Sequence, residues 1–243
     1  YLRYLPGWDR VEPELDTRAD LIIIVDTTAE VLLSKTLAIP GARHTLTTKP
    51  VLVIDHHLGT EPDLSFPYTL LLEEAASTSQ VIYNMAAACG WPINQPAAHA
   101  MLAALLADTL GLTTQQVNAA VYQTAAALAS LGASPAAVEA ARREFMKKSP
   151  EILAYKGRLI ERIEYLLDGK LALVRIPFSE IEAYSDQYNP SVLVLDEMRL
   201  VTGVELAVAI KTYPDGKLTG KLRANSPIAA DVAGYFGGGG HPY

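Results

Sequence analysis

Asp55-His56-His57 puts a carboxylate and two imidazoles on consecutive residues, directly after the apolar run Val51-Leu52-Val53-Ile54. Such groups suit Mn²⁺ and similar divalent ions, which accept both oxygen and imidazole ligands. Adjacent residues of an extended chain point to opposite sides, so the two histidines are expected to divide the work. One would bind a metal and the other would face a substrate phosphate or a leaving oxygen. A second run, Leu21-Ile22-Ile23-Ile24-Val25, also ends in an aspartate, Asp26. One aspartate after a strand reads as a turn or a helix cap. Two of them, one followed by two histidines, read as a site. Asp108 closes an apolar helical stretch and by itself could equally begin the next turn.

A second group lies near the other end of the chain, where Arg223, Asn225 and Ser226 precede Gly237-Gly238-Gly239-Gly240-His241. Arg223 offers a bidentate phosphate contact, with Asn225, Ser226 and His241 as neutral or switchable donors. Consecutive glycines let the backbone approach a ligand, and their N–H groups can form an anion-binding nest; the bland alternative is a flexible end. Other candidates are read as structural. Ser77-Thr78-Ser79 is a helix cap, His44 and His99 have no partner in sequence, and Trp8 and Trp91 are packing residues.

These residues need elements to hold them. The two short, mostly β-branched runs read as strands buried on both faces, which predicts a parallel sheet. Helices are predicted between Glu74 and Cys89 with a stop at Gly90, from Ala97 to Ala107, and from Gln116 to Leu131 closing at Gly132. The first half is therefore α/β. Apolar residues at helical spacing from Pro150 to Leu167 predict a helix bridging two domains. Beyond it, Leu171 to Ile176 reads as a strand, and Pro214-Asp215-Gly216 reads as the turn of a hairpin between Val204 to Thr212 and Lys217 to Arg223. The expected organisation is a parallel-sheet catalytic domain at 1–148, a linker helix at 149–170 and a smaller α/β substrate-binding domain at 171–243.

Half of the 243 residues are apolar and the net charge is −7. An acidic surface repels long polyanions, so duplex nucleic acid is disfavoured as a partner, whereas a small anion remains compatible if bound cations invert the local field. The apolar stretches fall well short of the roughly 20 residues a membrane span needs. The single Cys89 and the absence of a leader pattern lead to the expectation of a cytoplasmic protein without membrane partners. A homodimer is left open.

In order and spacing, Asp26 within Leu21 to Thr27, Asp55-His56-His57, and Ala107-Asp108-Thr109 resemble successive motifs of the DHH phosphoesterases. The segment Lys221 to Ser226 and the Gly237 to His241 run resemble the signature of the DHH-associated substrate-binding domain. The resemblance implies a centre of two ions, Mn²⁺ with Mg²⁺ or Co²⁺ as alternatives, bridged by Asp26 and completed by His56 and Asp108. Asp55 would orient a histidine and His57 would contact the phosphate. Two cations about 3.5–4 Å apart can activate water and stabilise phosphoryl charge. Arg223, Asn225, Ser226, Gly238, Gly239, Gly240 and His241 would hold the non-reacting end of the substrate across an interdomain cleft. The substrates implied are short oligoribonucleotides or 3′-phosphoadenosine 5′-phosphate. Cyclic or linear dinucleotides, a RecJ-like single-strand exonuclease and a catalytically silent nucleotide-binding module are the alternatives. The family's first motif, a histidine followed by Asp-x-Asp, is absent from Tyr1 to Asp20. The chain starts at Tyr1 rather than Met and ends just after the glycine run, and it is expected to be a fragment.

Overall fold

The two aspartate-terminated runs fold as neighbouring parallel strands. In the computed structural model, which describes residues 3–58 and 61–239, β1 (Ile22–Val25) lies beside β2 (Val51–Asp55), with Ile22 opposite Val51 and Val25 opposite Ile54. On its other side β2 pairs in parallel with β3 (Thr69–Leu72). Parallel strands in register end at the same edge of a sheet, so Asp26 and Asp55 emerge side by side. The Asp26 N–H still bonds the Ile54 carbonyl at 2.9 Å. This carboxyl edge is where open α/β sheets gather their chemistry.

Burial on both faces holds for β2 but not for β1. Val53 and Ile54 are sealed in the core, whereas Ile23 is 53% and Val25 50% exposed. β1 is an edge strand of this three-stranded sheet. Its inward residues Ile22 and Ile24 join Leu37, Leu46, Val53 and Phe66 in one core cluster, while the alternate residues stay open among the described residues. A continuous apolar run signals a strand without saying that both of its faces are covered.

Two short helices, α1 (Ser34–Leu37) and α2 (Ala42–Thr48), make the crossover from β1 to β2. After β3 come α3 (Thr78–Ala88), α4 (Gln95–Asp108), α5 (Ala119–Ser130) and α6 (Pro135–Phe145). Their boundaries follow capping chemistry. Ser77 accepts from the Gln80 N–H to start α3, and Asn94, Asn118 and Ser134 start the next three in the same way. Gly90, at φ 66°, stops α3 while the Trp91 N–H returns to the Ala86 carbonyl. Gly132, at φ 90°, does the same for α5.

The chain divides into two units, Tyr1–Met146 and Lys147–Tyr243. The second contains α7 (Pro150–Glu161), β4 (Glu164–Leu166), β5 (Leu171–Ile176), α8 (Phe178–Tyr184), α9 (Pro190–Arg199), β6 (Leu206–Thr212), β7 (Leu218–Ala224) and α10 (Ala229–Tyr235). Its mixed sheet runs β4-β5-β6-β7, with only β5 and β6 parallel. The β6–β7 hairpin turns at Gly216, φ 80°, where the Tyr213 N–H bonds the Lys217 carbonyl.

The expected linker helix is corrected in two respects. α7 ends at Glu161, because Glu164–Leu166 pairs antiparallel with β5 through a turn that places Leu167, Asp168 and Gly169 at positive φ. Nor does α7 stand apart as a separate linker at 149–170. Ile152, Tyr155 and Leu159 are buried against Val174, Ile176, Val194 and Met198 in the second unit's core.

α7 is also pinned to α8 by charge. Both Glu180 carboxylate oxygens accept from Arg162, at 2.6 and 2.7 Å, and the Tyr155 hydroxyl donates to the same carboxylate at 2.8 Å. The Arg162 guanidinium holds the Glu180 carboxyl below its ordinary value. A depressed acid contributes stability that is complete above the unfolded value of 4.5 and is lost as pH falls through the folded value. Glu180→Gln should therefore cost about 1 kcal/mol near neutrality. The cost should shrink below about pH 4, as read by urea unfolding of both proteins across that range.

Candidate metal centre

β2 delivers Asp55 into a fully buried position, 0% exposed. Its Oδ1 accepts from the His56 N–H at 2.7 Å, the His57 N–H at 3.2 Å and His57 Nδ1 at 2.7 Å. Its Oδ2 is buried and has no hydrogen-bond partner among the described residues. The two backbone amides folding back onto one oxygen end the extended geometry at Asp55. As a result the histidine rings do not go to opposite sides: their centroids lie 4.3 Å apart at an interplanar angle of 54°.

The rings differ in what holds them. His56 Nδ1 lies 3.0 Å from the Ala75 carbonyl, which can only accept, so the proton sits on Nδ1 and Nε2 keeps its lone pair. That Nε2 is 3.6 Å from Asp26 Oδ1, too far for a hydrogen bond but suited to two atoms sharing one cation. His57 spends Nδ1 on Asp55, which leaves its Nε2 without a hydrogen-bond partner among the described residues.

Asp26 sits just past β1 at φ 68°. The left-handed region costs a non-glycine residue about 1–3 kcal/mol, and aspartate tolerates it better than most. Its Oδ1 is further fixed by the Thr78 hydroxyl, which donates at 2.7 Å from the first turn of α3. Asp26, Asp55, His56 and His57 each present one ligand atom, and these atoms all lie within 4.8 Å of one another. Asp108, the last residue of α4, faces the same group. Partial burial pushes its carboxyl up, the Asp26 carboxylate adds to this, and His56 and His57 pull the other way.

A divalent cation fits this set. Burying a carboxylate costs several kcal/mol unless it is compensated, and one Asp55 oxygen has no donor among the described residues. Oxygen and imidazole nitrogen are the ligands that Mn²⁺, Mg²⁺ or Co²⁺ accept, with imidazole weighting the choice toward the transition ions.

The expected substrate residues lie in the second unit and are less uniform. Arg223, on β7 opposite Ala207, is half-buried and donates only to the Leu222 carbonyl, with no carboxylate beside it among the described residues. Ser226 Oγ is buried without a hydrogen-bond partner among the described residues. Asn225 is a correction. Its amide donates to the Arg199 carbonyl at 2.6 Å and the Val204 carbonyl at 2.9 Å, so both N–H groups brace the fold and are not available to a ligand. The glycine nest is corrected in part as well. Gly237, at φ 76°, ends α10; its N–H bonds the Gly234 carbonyl and the Gly238 N–H bonds the Ala233 carbonyl. Gly238 therefore has no N–H left for an anion. Gly239 carries no such bond among the described residues, and Gly240 and His241 lie outside them.

Of the hydroxyls read as a cap, Ser77 is the cap, but Thr78 also reaches Asp26. No local pattern marks that contact, because it spans 52 residues. His44 and His99 enter no metal-ligating cluster among the described residues.

The fold and cluster define a carboxylate–histidine metal centre at the carboxyl edge of a parallel sheet. Residues 1–108 match the model of the DHH family, N-terminal domain. The chain is 25% identical over 232 residues to the cyclic-di-AMP phosphodiesterase PdeA of Listeria monocytogenes; the match covers 93% of this chain and 32% of PdeA. It thus spans about a third of that relative's length. The crystal structure of an exopolyphosphatase-related protein from Bacteroides fragilis superposes with a TM-score of 0.79 at 20% identity, covering 99% of this chain and 72% of that one. That likeness shows the fold. No helix among the described residues is long and apolar enough to cross a membrane.

Outer hydrogen bonds of this kind tune metal affinity, and losing one typically costs about 10- to 100-fold. Thr78→Val, which removes the donor to Asp26, should weaken Mn²⁺ binding by about tenfold or more in calorimetric titration while leaving the unfolding midpoint nearly unchanged. Asn225→Ala should do the reverse. With two carbonyls left without donors it should lose about 1–3 kcal/mol of stability, measured by chemical unfolding, with Mn²⁺ affinity intact.

Proposed function

We propose that this chain is the core of a metal-dependent phosphoesterase acting on small nucleotides, chiefly short oligoribonucleotides and 3′-phosphoadenosine 5′-phosphate. The observation that carries the reading is the cluster of Asp26, Asp55, His56 and His57, whose ligand atoms lie within 4.8 Å of one another and whose buried Asp55 Oδ2 has no hydrogen-bond partner among the described residues. Divalent cations held there supply an activated water and stabilise negative charge on the attacked phosphoryl group. Asp26, His56 and Asp108 would hold them, with Asp55 Oδ2 as a further oxygen and Mn²⁺ as the preferred ion. Asp55 Oδ1 keeps the His57 proton on Nδ1, so Nε2 carries the lone pair that can accept a proton and, once protonated, donate to a phosphate oxygen. Arg223 contributes a guanidinium for a second phosphate. The net charge of −7 favours small substrates over long strands. The same charge supports a setting without nucleic-acid duplex or membrane partners.

Hydrolysis of a cyclic dinucleotide is the second reading, and the likeness to PdeA favours it. Both readings use the same cluster and differ only in the substrate that reaches it.

Incubating the protein with Mn²⁺ and a panel of linear dinucleotides, a cyclic dinucleotide, longer RNA and 3′-phosphoadenosine 5′-phosphate should release mononucleotide or phosphate from the small substrates and little from long RNA. No metal-dependent release from any of them would end the enzymatic reading. Asp26→Ala should abolish turnover and weaken metal binding, whereas Arg223→Ala should mainly raise KM with metal affinity unchanged. Equal loss of metal affinity in both variants would contradict this division of labour.

A further inference from the structure

We propose that the cavity beside His57 binds a neutral, nucleobase-sized heterocycle, with Gln116 and Asn118 reading its edge. The proposal deepens the phosphoesterase reading by naming where the base next to the reacting phosphate would sit.

The cavity, about 280 Å³, lies against His56, His57, Glu74, Gln116, Asn118 and Ala120. Small-molecule sites commonly span about 300–1,000 Å³, so this one suits a single ring system and not a dinucleotide. Its walls carry no Lys or Arg among the described residues, and Glu74 adds a carboxylate. A phosphate placed there would meet negative charge without a compensating cation. The cluster next door is the place where cations can gather. Charge therefore assigns the phosphate to the cluster and a neutral group to the cavity.

The amides are arranged for reading such a group. Asn118 caps α5, and its Oδ1 accepts from the Ala120 N–H at 2.9 Å and the Val121 N–H at 3.3 Å. That fixes the plane of the side chain and assigns Nδ2, with two donors, to the opposite side. It also occupies the helix N–H groups that would otherwise attract an anion. Both residues line the cavity and are exposed, and no protein hydrogen bond of Asn118 Nδ2 or of the Gln116 amide occurs among the described residues. The third amide there, Gln80, is already committed: Oε1 accepts from the Ala76 N–H at 2.9 Å, and Nε2 approaches Thr124 Oγ1 at 3.5 Å. Primary amides match the paired donor and acceptor edges of bases. Gln116 can supply both and Asn118 only donors.

The test is binding without turnover, using adenosine, which carries no phosphate, and inorganic phosphate as the contrasting probe. In NMR titrations of the whole chain, adenosine should shift the side-chain amide signals of Gln116 and Asn118 saturably, and phosphate should not. Gln116→Ala combined with Asn118→Ser should weaken adenosine binding by tenfold or more. Serine keeps the helix cap and lacks Nδ2, so folding should survive; an unchanged amide spectrum elsewhere verifies it. The proposal is overturned if adenosine leaves these signals unmoved, if phosphate reproduces the shifts, or if the double variant binds adenosine as the parent does. Adenosine binding with no hydrolysis of any substrate would refute the phosphoesterase reading and leave the cavity assignment standing.

Discussion

The centre depends on how one buried carboxylate divides its two oxygens. Asp55 Oδ1 collects two backbone amides and one imidazole, while Oδ2 collects nothing from the described residues. The first half of that arrangement is structural: it ends β2, bends the chain, brings both histidine rings to one side and fixes the tautomer of His57. The second half leaves negative charge in a place where desolvation makes it costly. A fold pays that cost only where something supplies the opposite charge, and the neighbouring Asp26 increases the demand. Two carboxylates and two imidazoles within 4.8 Å of one another are poorly compensated without a cation.

The sheet makes this convergence possible. Because β1 and β2 are parallel and in register, Asp26 and Asp55 arrive at one edge without any long-range folding of loops. α3 then adds Thr78 to Asp26, and the segment before it adds the Ala75 carbonyl to His56. These outer contacts come from the β3-to-α3 connection, so its placement governs both a carboxylate and an imidazole of the cluster. α4 ends at Asp108, whose carboxyl is raised first by partial burial and then by the Asp26 carboxylate.

What could be read from the sequence follows from the range of each interaction. The α/β class, the parallel strands and the hairpin at Gly216 are set by local periodicity and turn chemistry, and were legible. That Asp26, Asp55, His56 and His57 would converge was legible because strand ends are predictable meeting points. The weak strand β3 was not, since Thr69–Leu72 resembles many short apolar stretches until β2 pairs with it. The end of α7 was missed because helical spacing persists through Leu166 and Leu167, while the Asp168-Gly169 turn and pairing with β5 override it. Thr78 was out of reach for a different reason. Its hydroxyl looks like any other at a helix start, and its partner is 52 residues away.

The glycine run shows why residue type alone underdetermines chemistry. Glycine serves an anion nest because its backbone is permissive and open, and it serves a helix end for the same reason. The two uses compete for the same N–H groups. Here α10 takes those of Gly237 and Gly238 first, since its last carbonyls would otherwise be unsatisfied. A Cβ at Gly238 would come within 3.1 Å of the Ala233 carbonyl oxygen, so glycine is required there for closure whatever a ligand does. Asn225 makes the same point with a side chain: an amide near a candidate phosphate site is spent on two backbone carbonyls. Asn118 is the contrasting case, because capping uses its oxygen and leaves its nitrogen. Whether a polar group can act on a ligand is decided by the hydrogen bonds the fold has already claimed from it.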